Sequence, residues 1–466
     1  MPAREFDAVV VGSGPAGYVC ATRLAQLGKR VAVVERDAIG GCCLNVGCIP
    51  SKALIAAGSF FDRLKRASEM GIEVSGARLD LAKMVAWKDG IVAKLTGGVG
   101  SLFKNHRIET VKGTATLKSS SEVEVKGAGA AEALRARAIV LATGSEPIAL
   151  KEFPWSGGVW SSTEALSPAE IPKRLVVIGG GYIGLELGIF YAKIGAQVTV
   201  VEMTGGLLPG TDPDLSAVVG RTLKKRGVAV HLNARATGYE KAPAGLRVGV
   251  EAEGKRFEVE CDRILSTVGR RPTSAGLGLE PLGVRMEKGF VAVDPRRESS
   301  VPGIFAIGDL AGQPMLAHKG SKEGIVAAEA IAGRRAAFDV RAIPSVIFTD
   351  PEIASVGLTE AEAKEKGFDP VVGRFPFAAS GRAMSLGETE GFVKVVADKG
   401  TDAVLGVHMV GPEVTELIAE AALAIEMGAT SEDLALTVHA HPTLPETLME
   451  AAEAVHGAAI HVYRRA

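Results

Sequence analysis

Five cysteines, eight histidines and a formal net charge of −1 in 466 residues leave several classes of protein without support. The 53 basic and 54 acidic residues are interspersed, so nothing favours nucleic acid or an anionic membrane surface as a partner. Aromatic residues are scarce, at 5%, in an otherwise ordinary globular composition rich in Gly and Ala. The longest apolar stretch, residues 175–201, is broken by glycines, Glu186 and Lys193. It reads as strand, turn, helix and strand rather than as a membrane span. The first strand is expected by Phe6, which leaves no room for a signal peptide. A cytoplasmic location is the simplest fit, and there five cysteines argue for redox chemistry over structural disulfides. At roughly 150 residues per domain, the length suits about three domains.

Three of those cysteines fall within residues 40–52, which read Gly-Gly-Cys-Cys-Leu-Asn-Val-Gly-Cys-Ile-Pro-Ser-Lys. On a regular helix Cys43 and Cys48 would stand about 140° apart around the axis. A loosened or kinked turn at Gly47 could bring the two sulfurs to bonding distance. Zinc would need two further ligands at knuckle-like spacing, and no second Cys/His pair supplies them. Buried structural thiols would not need the flanking glycines, Pro50 or Lys52. A redox-active dithiol fits better than either, given the nucleotide-binding pattern that precedes it.

Residues 8–11 are a short apolar run, read as a buried parallel strand. It leads into Gly12-Ser13-Gly14-Pro15-Ala16-Gly17, a G-x-G-x-x-G turn. The first glycine permits the turn, the second lets a pyrophosphate approach the backbone, and the third lets helix pack on strand. The helix N-terminus then faces the phosphates. Ala16, Cys20, Leu24 and Leu27 form the helix's buried stripe, so Cys20 is read as a small core residue. Residues 31–34 are the second strand, closed by Glu35, which is placed to accept hydrogen bonds from a ribose. Helices are expected over 52–67 and 79–105, a β region over 112–125, and a strand over 138–141 that ends in Ala142-Thr143-Gly144.

The pattern then repeats. A strand at 175–178 is followed by Gly179-Gly180-Gly181-Tyr182-Ile183-Gly184, a helix containing Glu186, and a strand at 198–202. Val198-Thr199-Val200-Val201-Glu202 nearly duplicates Val31-Ala32-Val33-Val34-Glu35, which implies two dinucleotide sites in one chain. The dithiol directly follows the first unit, so that unit is expected to hold a flavin and the second a nicotinamide. Glu202 selects NAD, because a carboxylate bonds a 2′-hydroxyl and repels a 2′-phosphate. Alternation over 246–261 gives half-buried antiparallel strands with Cys261 on the core face. From Pro344 onward no glycine loop recurs. Strands near 346–348, 392–396 and 404–410 mix with helices at 360–366 and 413–427, the latter presenting Leu417, Ile418, Ala421, Ala424 and Ile425. His439-Ala440-His441-Pro442-Thr443-Leu444-Pro445-Glu446 lies near the end of this block. Glu446 can turn back to hold the His441 imidazole in one tautomer, and histidine is the natural base for a dithiol.

The run at 40–52 resembles, almost letter for letter, the active-site segment of the dihydrolipoyl dehydrogenases. These are flavin- and pyridine-nucleotide-dependent disulfide oxidoreductases related to glutathione reductase and mercuric reductase. The resemblance extends over essentially the whole chain. One departure is Cys42, where the family usually carries threonine. The resemblance implies an α/β fold with two Rossmann-like dinucleotide-binding domains and a C-terminal α+β dimerisation domain. The expected segments are 1–148 (FAD, first part), 149–270 (NAD), 271–343 (FAD and central, second part) and 344–466 (dimerisation). It pairs Cys43 with Cys48, Cys43 exchanging with substrate and Cys48 lying beside the flavin, with His441 as base and Glu446 as its partner. His439 is left structural. For FAD it implies Gly12, Gly14, Pro15, Ala16, Gly17, Glu35, Lys52, Thr143, Gly144, Ala317 and Asp309, the last within Gly303-Ile304-Phe305-Ala306-Ile307-Gly308-Asp309. For NAD it implies Gly179, Gly181, Tyr182, Ile183, Glu186, Glu202 and Gly269, the last opening Gly269-Arg270-Arg271-Pro272. Glu186 is the family partner of Lys52. No metal is expected.

The implied activity is oxidation of protein-bound dihydrolipoamide by NAD⁺, in a homodimer that serves a 2-oxo acid dehydrogenase or glycine cleavage complex. No lipoyl-domain-like segment is seen at the N-terminus, so the lipoyl group is expected on another protein. Tyr182 leans towards a glutathione-reductase-like or other disulfide reductase, since lipoamide enzymes often have an aliphatic residue there. Glu202, the Asn45-Val46-Gly47 run and residues 207–215 lean the other way. The C-terminus lacks the cysteine pair of a mercuric reductase. A flavoprotein oxidase would not need Cys43, Cys48 and His441 together, and a mere scaffolding subunit would not need the full set. Glu202 yields the first quantitative expectation: NAD⁺ is preferred over NADP⁺ by several kcal/mol, order of magnitude, in kcat/KM. Steady-state rates with the two cofactors test it, and comparable values would overturn the assignment.

Overall fold

The computed structural model describes residues 3–463. The chain divides into two compact units. The first gathers the residues up to Leu150 with 161–170 and 268–339; the second gathers 151–160, 171–267 and the residues from Val340 onward.

In the first unit a parallel sheet is built around strand Arg4–Val11, which pairs with Val31–Glu35 on one side and Glu132–Leu141 on the other. Strand Ile304–Ala306 joins Glu132–Leu141 in parallel, so a late segment of the chain completes the early sheet. The apolar runs are continuous because both faces are covered. Ala8, Val10, Cys20, Leu24 and Val33 pack on one side, and Val9, Val11, Val34, Ile139 and Ile304 on the other. Cys20 is fully buried, and desolvation raises its thiol pKa to about 12, so it is an inert core residue. Helix Pro15–Gln26 follows the first strand, with Pro15 in its first turn where no N–H is missed. An antiparallel pair, Thr114–Ser119 with Glu122–Lys126, extends the sheet as expected for the β region.

One helical stretch, Gly41–Leu64, reaches the length and mean hydropathy of a membrane span. It is two helices, Gly41–Val46 and Cys48–Leu64, interrupted at Gly47. The second begins before position 52 because Pro50 is tolerated in a first helical turn.

In the second unit, strand Arg174–Ile178 pairs in parallel with Gln197–Val201 and Arg263–Ser266. Strands Ala229–His231 and Val159–Trp160 extend that sheet at its two edges. A separate three-stranded antiparallel sheet, Ala234–Ala242, Gly245–Ala252 and Lys255–Cys261, has one strand more than the alternation over 246–261 suggests. Ala234–Ala242 shows no such alternation because polar and glycine residues interrupt it and Gly238 sits at a register shift. The C-terminal block is a five-stranded antiparallel sheet from Ser345–Ile347 to Pro370–Pro376, covered by helices Val414–Met427 and Glu446–Val455. Ile418, Ala421, Ala424 and Ile425 face the core as the helical period requires.

Glu352 opens a strand of this block, and its carboxylate accepts from Thr415 N at 3.2 Å and Thr415 Oγ1 at 2.8 Å. Burial pushes its pKa up to about 7, with Glu413 and Glu416 adding to the rise against the lowering by Thr415. An acid held above its ordinary pKa folds more easily protonated, so its contribution falls as pH climbs from the unfolded value through the folded one. Glu352→Gln is therefore expected to be more stable than the parent by about 1–3 kcal/mol at pH 8, the gain shrinking towards zero at pH 5. Thermal melts at the two pH values check this; an equal difference at both would contradict it.

Candidate active site

The two glycine loops have the shape a dinucleotide needs. Gly12 and Gly179 adopt φ of 103° and 101°, and a Cβ on either would stand 2.3 Å from the Ala142 carbonyl or 2.6 Å from the Thr267 carbonyl. The middle glycines differ. A Cβ on Gly181 would meet nothing within 4 Å, and one on Gly14 nothing nearer than Gly41 Cα at 4.0 Å. Backbone at the N-terminus of each helix thus faces open space that a pyrophosphate can enter. Pro15, Ala16 and Gly17 form the first turn of one helix, Tyr182 and Ile183 that of the other.

The acid after each second strand is pinned by its own glycine loop. Glu35 accepts from Ser13 N at 2.9 Å, Ser13 Oγ at 2.6 Å and Asp37 N at 2.8 Å. Glu202 accepts from Gly180 N at 2.5 Å and from Thr204 N and Oγ1 at 2.7 and 2.8 Å. Both carboxylates are buried, at 8% and 6% exposure, and fixed in orientation before any ribose arrives. These residues fit two dinucleotides.

The cysteine segment is locked onto the first loop. Gly40 N donates to Ser13 O at 3.1 Å, and a Cβ on Gly41 would stand 2.6 Å from Gly14 Cα. Asn45 Nδ2 donates to the carbonyls of Ile39 and Gly41 at 3.0 and 2.9 Å and so ties the short helix to its own entry. Gly47 then breaks the helix with φ −142° and ψ −115°. A Cβ there would stand 2.9 Å from Cys42 O and 3.3 Å from Cys43 Cα. The chain restarts at Cys48, with Ser51 N donating to Gly47 O at 3.1 Å and Ser51 Oγ to Cys48 O at 2.9 Å. Through this break Cys43 and Cys48, both thiols here, become hydrogen-bond partners. That bond, then burial, pushes the Cys43 pKa far up. Cys42 keeps access to solvent, yet desolvation is the largest influence on it and raises its pKa against the Arg270 guanidinium, which lowers it.

Arg270 reads in the sequence only as part of a turn, but in the fold it gathers several segments. Its Nη2 lies 3.5 Å from Cys42 Sγ and 2.6 Å from Ser145 O, and its Nε donates to Ser145 Oγ at 2.8 Å. Ser145 Oγ in turn donates to Asp309 at 2.5 Å. Thr143 Oγ1 donates to Thr273 O at 2.7 Å, and Thr273 N to Gly144 O at 2.9 Å. Gly269 O accepts from Ile148 N at 3.0 Å, which places Gly269 with the first unit.

Beneath Asp309 lies a charged cluster that the sequence did not disclose. Glu323, fully buried in helix Ala317–Ile331, accepts from Gly308 N at 2.7 Å and from Arg297 Nη1 at 3.0 Å. Lys319 Nζ lies 3.3 Å from Glu323 and donates to Gly312 O at 2.8 Å. Two charged residues, Lys319 and Glu323, on a helix face otherwise made mostly of Gly and Ala were the available signal. Ala317 begins that helix.

In the second unit Glu186 is 4% exposed and accepts from Phe348 N at 2.9 Å. His441 Nδ1 stands 2.8 Å from Glu446 Oε1, and Thr443 N donates to Glu446 Oε2 at 2.7 Å. The His441–Pro442 bond is cis. Burial would raise the Glu446 pKa, but the Thr443 N–H and the His441 ring together hold it below the usual carboxylate range. An ionised carboxylate only accepts, so Nδ1 carries the hydrogen and Nε2 presents its lone pair outward on a side chain 80% exposed. Cys43, Cys48 and Lys52 belong to the first unit, His441 and Glu446 to the second. Among the described residues, no group of three or more His, Cys, Asp or Glu side chains is arranged to hold a metal.

Comparison with known proteins agrees with this geometry. Residues 6–324 match the family described as pyridine nucleotide-disulphide oxidoreductase, and residues 343–452 its dimerisation domain. The dihydrolipoyl dehydrogenase of Thermus scotoductus is 52% identical, covering 99% of this chain and 100% of its own. That of Geobacillus stearothermophilus is 49% identical, covering 98% of each. Among solved structures, LpdA from Mycobacterium tuberculosis superposes with a TM-score of 0.89 at 28% identity over 97% of this chain and 99% of its own. The HOCl-induced flavoprotein disulfide reductase RclA from Escherichia coli, as its Cu(II) complex, gives 0.86 at 27% identity over 97% and 99%.

Proposed function

The chain belongs to the pyridine nucleotide-disulphide oxidoreductase family, and we propose that within it the chain is an NAD⁺-linked dihydrolipoamide oxidoreductase. The observation that carries this reading is the Cys43–Cys48 thiol pair, held together by the Gly47 break against the first dinucleotide loop. FAD belongs to the first loop and NAD to the second. When bound, FAD supplies the two-electron acceptor that reoxidises the pair, and NAD⁺ takes the hydride.

His441 Nε2 removes a proton from the dithiol substrate, and Glu446 steadies the imidazolium that results. The substrate thiolate attacks Cys43 Sγ of the Cys43–Cys48 disulfide; the S–S bond breaks and Cys48 leaves as a thiolate. The second substrate thiol attacks the substrate sulfur bound to Cys43, closing the cyclic disulfide and releasing Cys43. Two electrons have then passed to the cysteine pair. The released Cys43 sulfur takes a proton back, so the pair ends with both electrons and the substrate with its ring closed. Lys52 provides positive charge near the flavin. Gly12, Gly14, Pro15, Ala16, Gly17, Glu35, Thr143, Gly144, Asp309 and Ala317 hold FAD, and Gly179, Gly181, Tyr182, Ile183, Glu202 and Gly269 serve NAD. Residues 1–148, 149–270, 271–343 and 344–466 are the functional segments.

The chain is a homodimer through its dimerisation domain. Leu423, Met427, Leu436 and Val438 in that block are 62–95% exposed, the kind of apolar surface a partner subunit covers. We take each site to join the disulfide of one subunit with His441 of the other, and the substrate to be a lipoyl group on a separate protein, in the cytoplasm. Tyr182, exposed at the first helical position of the second loop, is the feature that favours a glutathione-type reductase instead.

Steady-state turnover decides between them. NAD⁺ reduction by dihydrolipoamide is expected to exceed NADPH oxidation by glutathione disulfide by more than about 100-fold in kcat/KM, and the reverse order would overturn the reading. In the same assay Cys42→Thr is expected to keep most activity, while Cys43→Ser and Cys48→Ser abolish it. Equal damage from all three would refute the thiol roles.

A further inference from the structure

The family resemblance leaves His439 without a part in the chemistry, yet it is the more securely held of the two histidines. Its side chain is 4% exposed, whereas that of His441 is 80% exposed. Nδ1 lies 2.7 Å from Thr437 O and Nε2 lies 3.0 Å from Glu420 Oε1. A carbonyl oxygen only accepts, so Nδ1 carries a hydrogen. A carboxylate likewise only accepts when ionised, so a proton also lies between Nε2 and Oε1, on one atom or the other. Both edges of the ring are therefore engaged, and the ring cannot turn without breaking two bonds.

Glu420 belongs to helix Val414–Met427, whose apolar face is buried against the C-terminal sheet. The segment from Thr437 to Pro445 has no regular secondary structure. It is gripped from one side by Glu420 through His439 and from the other by Glu446, at the start of helix Glu446–Val455, through His441 and Thr443. Thr437 Oγ1 donates to Asp433 O at 2.7 Å and Thr443 Oγ1 to Ala440 O at 2.6 Å, which are local ties within the turn. The buried ring and the exposed one are two positions apart in the chain, so the bonds that hold His439 also restrain the backbone next to His441.

We propose that His439 and Glu420 form a second histidine–carboxylate pair that positions the His441 segment, making His439 a positioning residue for the dithiol half of the reaction. This rests on the reading of His441 as the base. Misplacement of a base by about 1 Å is enough to cost on the order of 100-fold.

The test uses the FAD-loaded dimer and two assays on each variant. The first is NAD⁺ reduction by dihydrolipoamide, which needs the cysteines and His441. The second is NADH oxidation by ferricyanide, which bypasses the thiols. His439→Leu and Glu420→Ala are expected to lose about 10- to 100-fold in kcat of the first assay, with KM for NAD⁺ unchanged and the second assay within about 2-fold of the parent. Glu420→Gln keeps a hydrogen-bond partner for Nε2 and is expected to restore the first assay to within about 3-fold. Parallel loss in both assays, or an unimpaired first assay, overturns the proposal, because either result makes the pair a general stabiliser or a bystander. If His439→Leu does not fold, Glu420→Ala and Glu420→Gln decide the same question from the helix side. His441→Ala is the reference. Should it retain dithiol turnover, the reading of His441 as base fails, whereas loss in His441→Ala with none in His439→Leu or Glu420→Ala defeats this proposal alone.

Discussion

The approach of the Cys43 and Cys48 side chains to each other is the constraint on which the chemistry depends, and it exists because a helix is not allowed to continue. Uninterrupted, the two residues would face different ways around the axis. Gly47 breaks the helix where a side chain would collide with Cys42 O, and Asn45 and Ser51 tie down the ends on either side. The same segment packs backbone to backbone on the first glycine loop, through Gly41 against Gly14. Thiol chemistry and nucleotide binding are thereby built on one rigid junction rather than on two independent loops.

Around that junction the polar groups are arranged so that few can reorient. Arg270, Ser145 and Asp309 form a hydrogen-bonded chain that ends at Cys42, and Glu323 beneath it holds the Gly308 N–H. Buried charges of this kind are costly to strand: removing one partner from such a pair typically destabilises by about 3–5 kcal/mol. The acids after the second strands follow the same logic, since Glu35 and Glu202 are fixed by their own loops.

Much of this was legible in the residues. The duplicated strand–glycine–helix–strand units, the cysteine break at Gly47, and the His441–Glu446 pair all rest on local patterns, and each occurs where the pattern placed it. What stayed hidden depends on contacts between distant segments. Nothing local distinguishes Arg270 from Arg271, yet one reaches Cys42 and Ser145 while the other pairs with exposed Glu146. Glu323 looks like one more helix-surface acid until residues 297 and 308 are brought against it by the fold. Strand Ala234–Ala242 lacks alternation because a register shift near Gly238 interrupts it. His439 reads as structural in the sequence, where neither acceptor at its ring nitrogens, one of them on helix Val414–Met427, is visible.

On the proposed function, the Cys43–Cys48 pair and the His441–Glu446 pair work as one site contributed by two subunits. Refolding together a Cys43→Ser chain and a His441→Ala chain, each inactive alone, distinguishes this from a site within one chain. Random pairing makes half of the dimers mixed, and a two-fold arrangement gives each mixed dimer one intact site, so about a quarter of the parent dihydrolipoamide–NAD⁺ activity is expected. Activity no higher than that of the two inactive parents would mean that each site is built within one chain, and the shared site would be wrong.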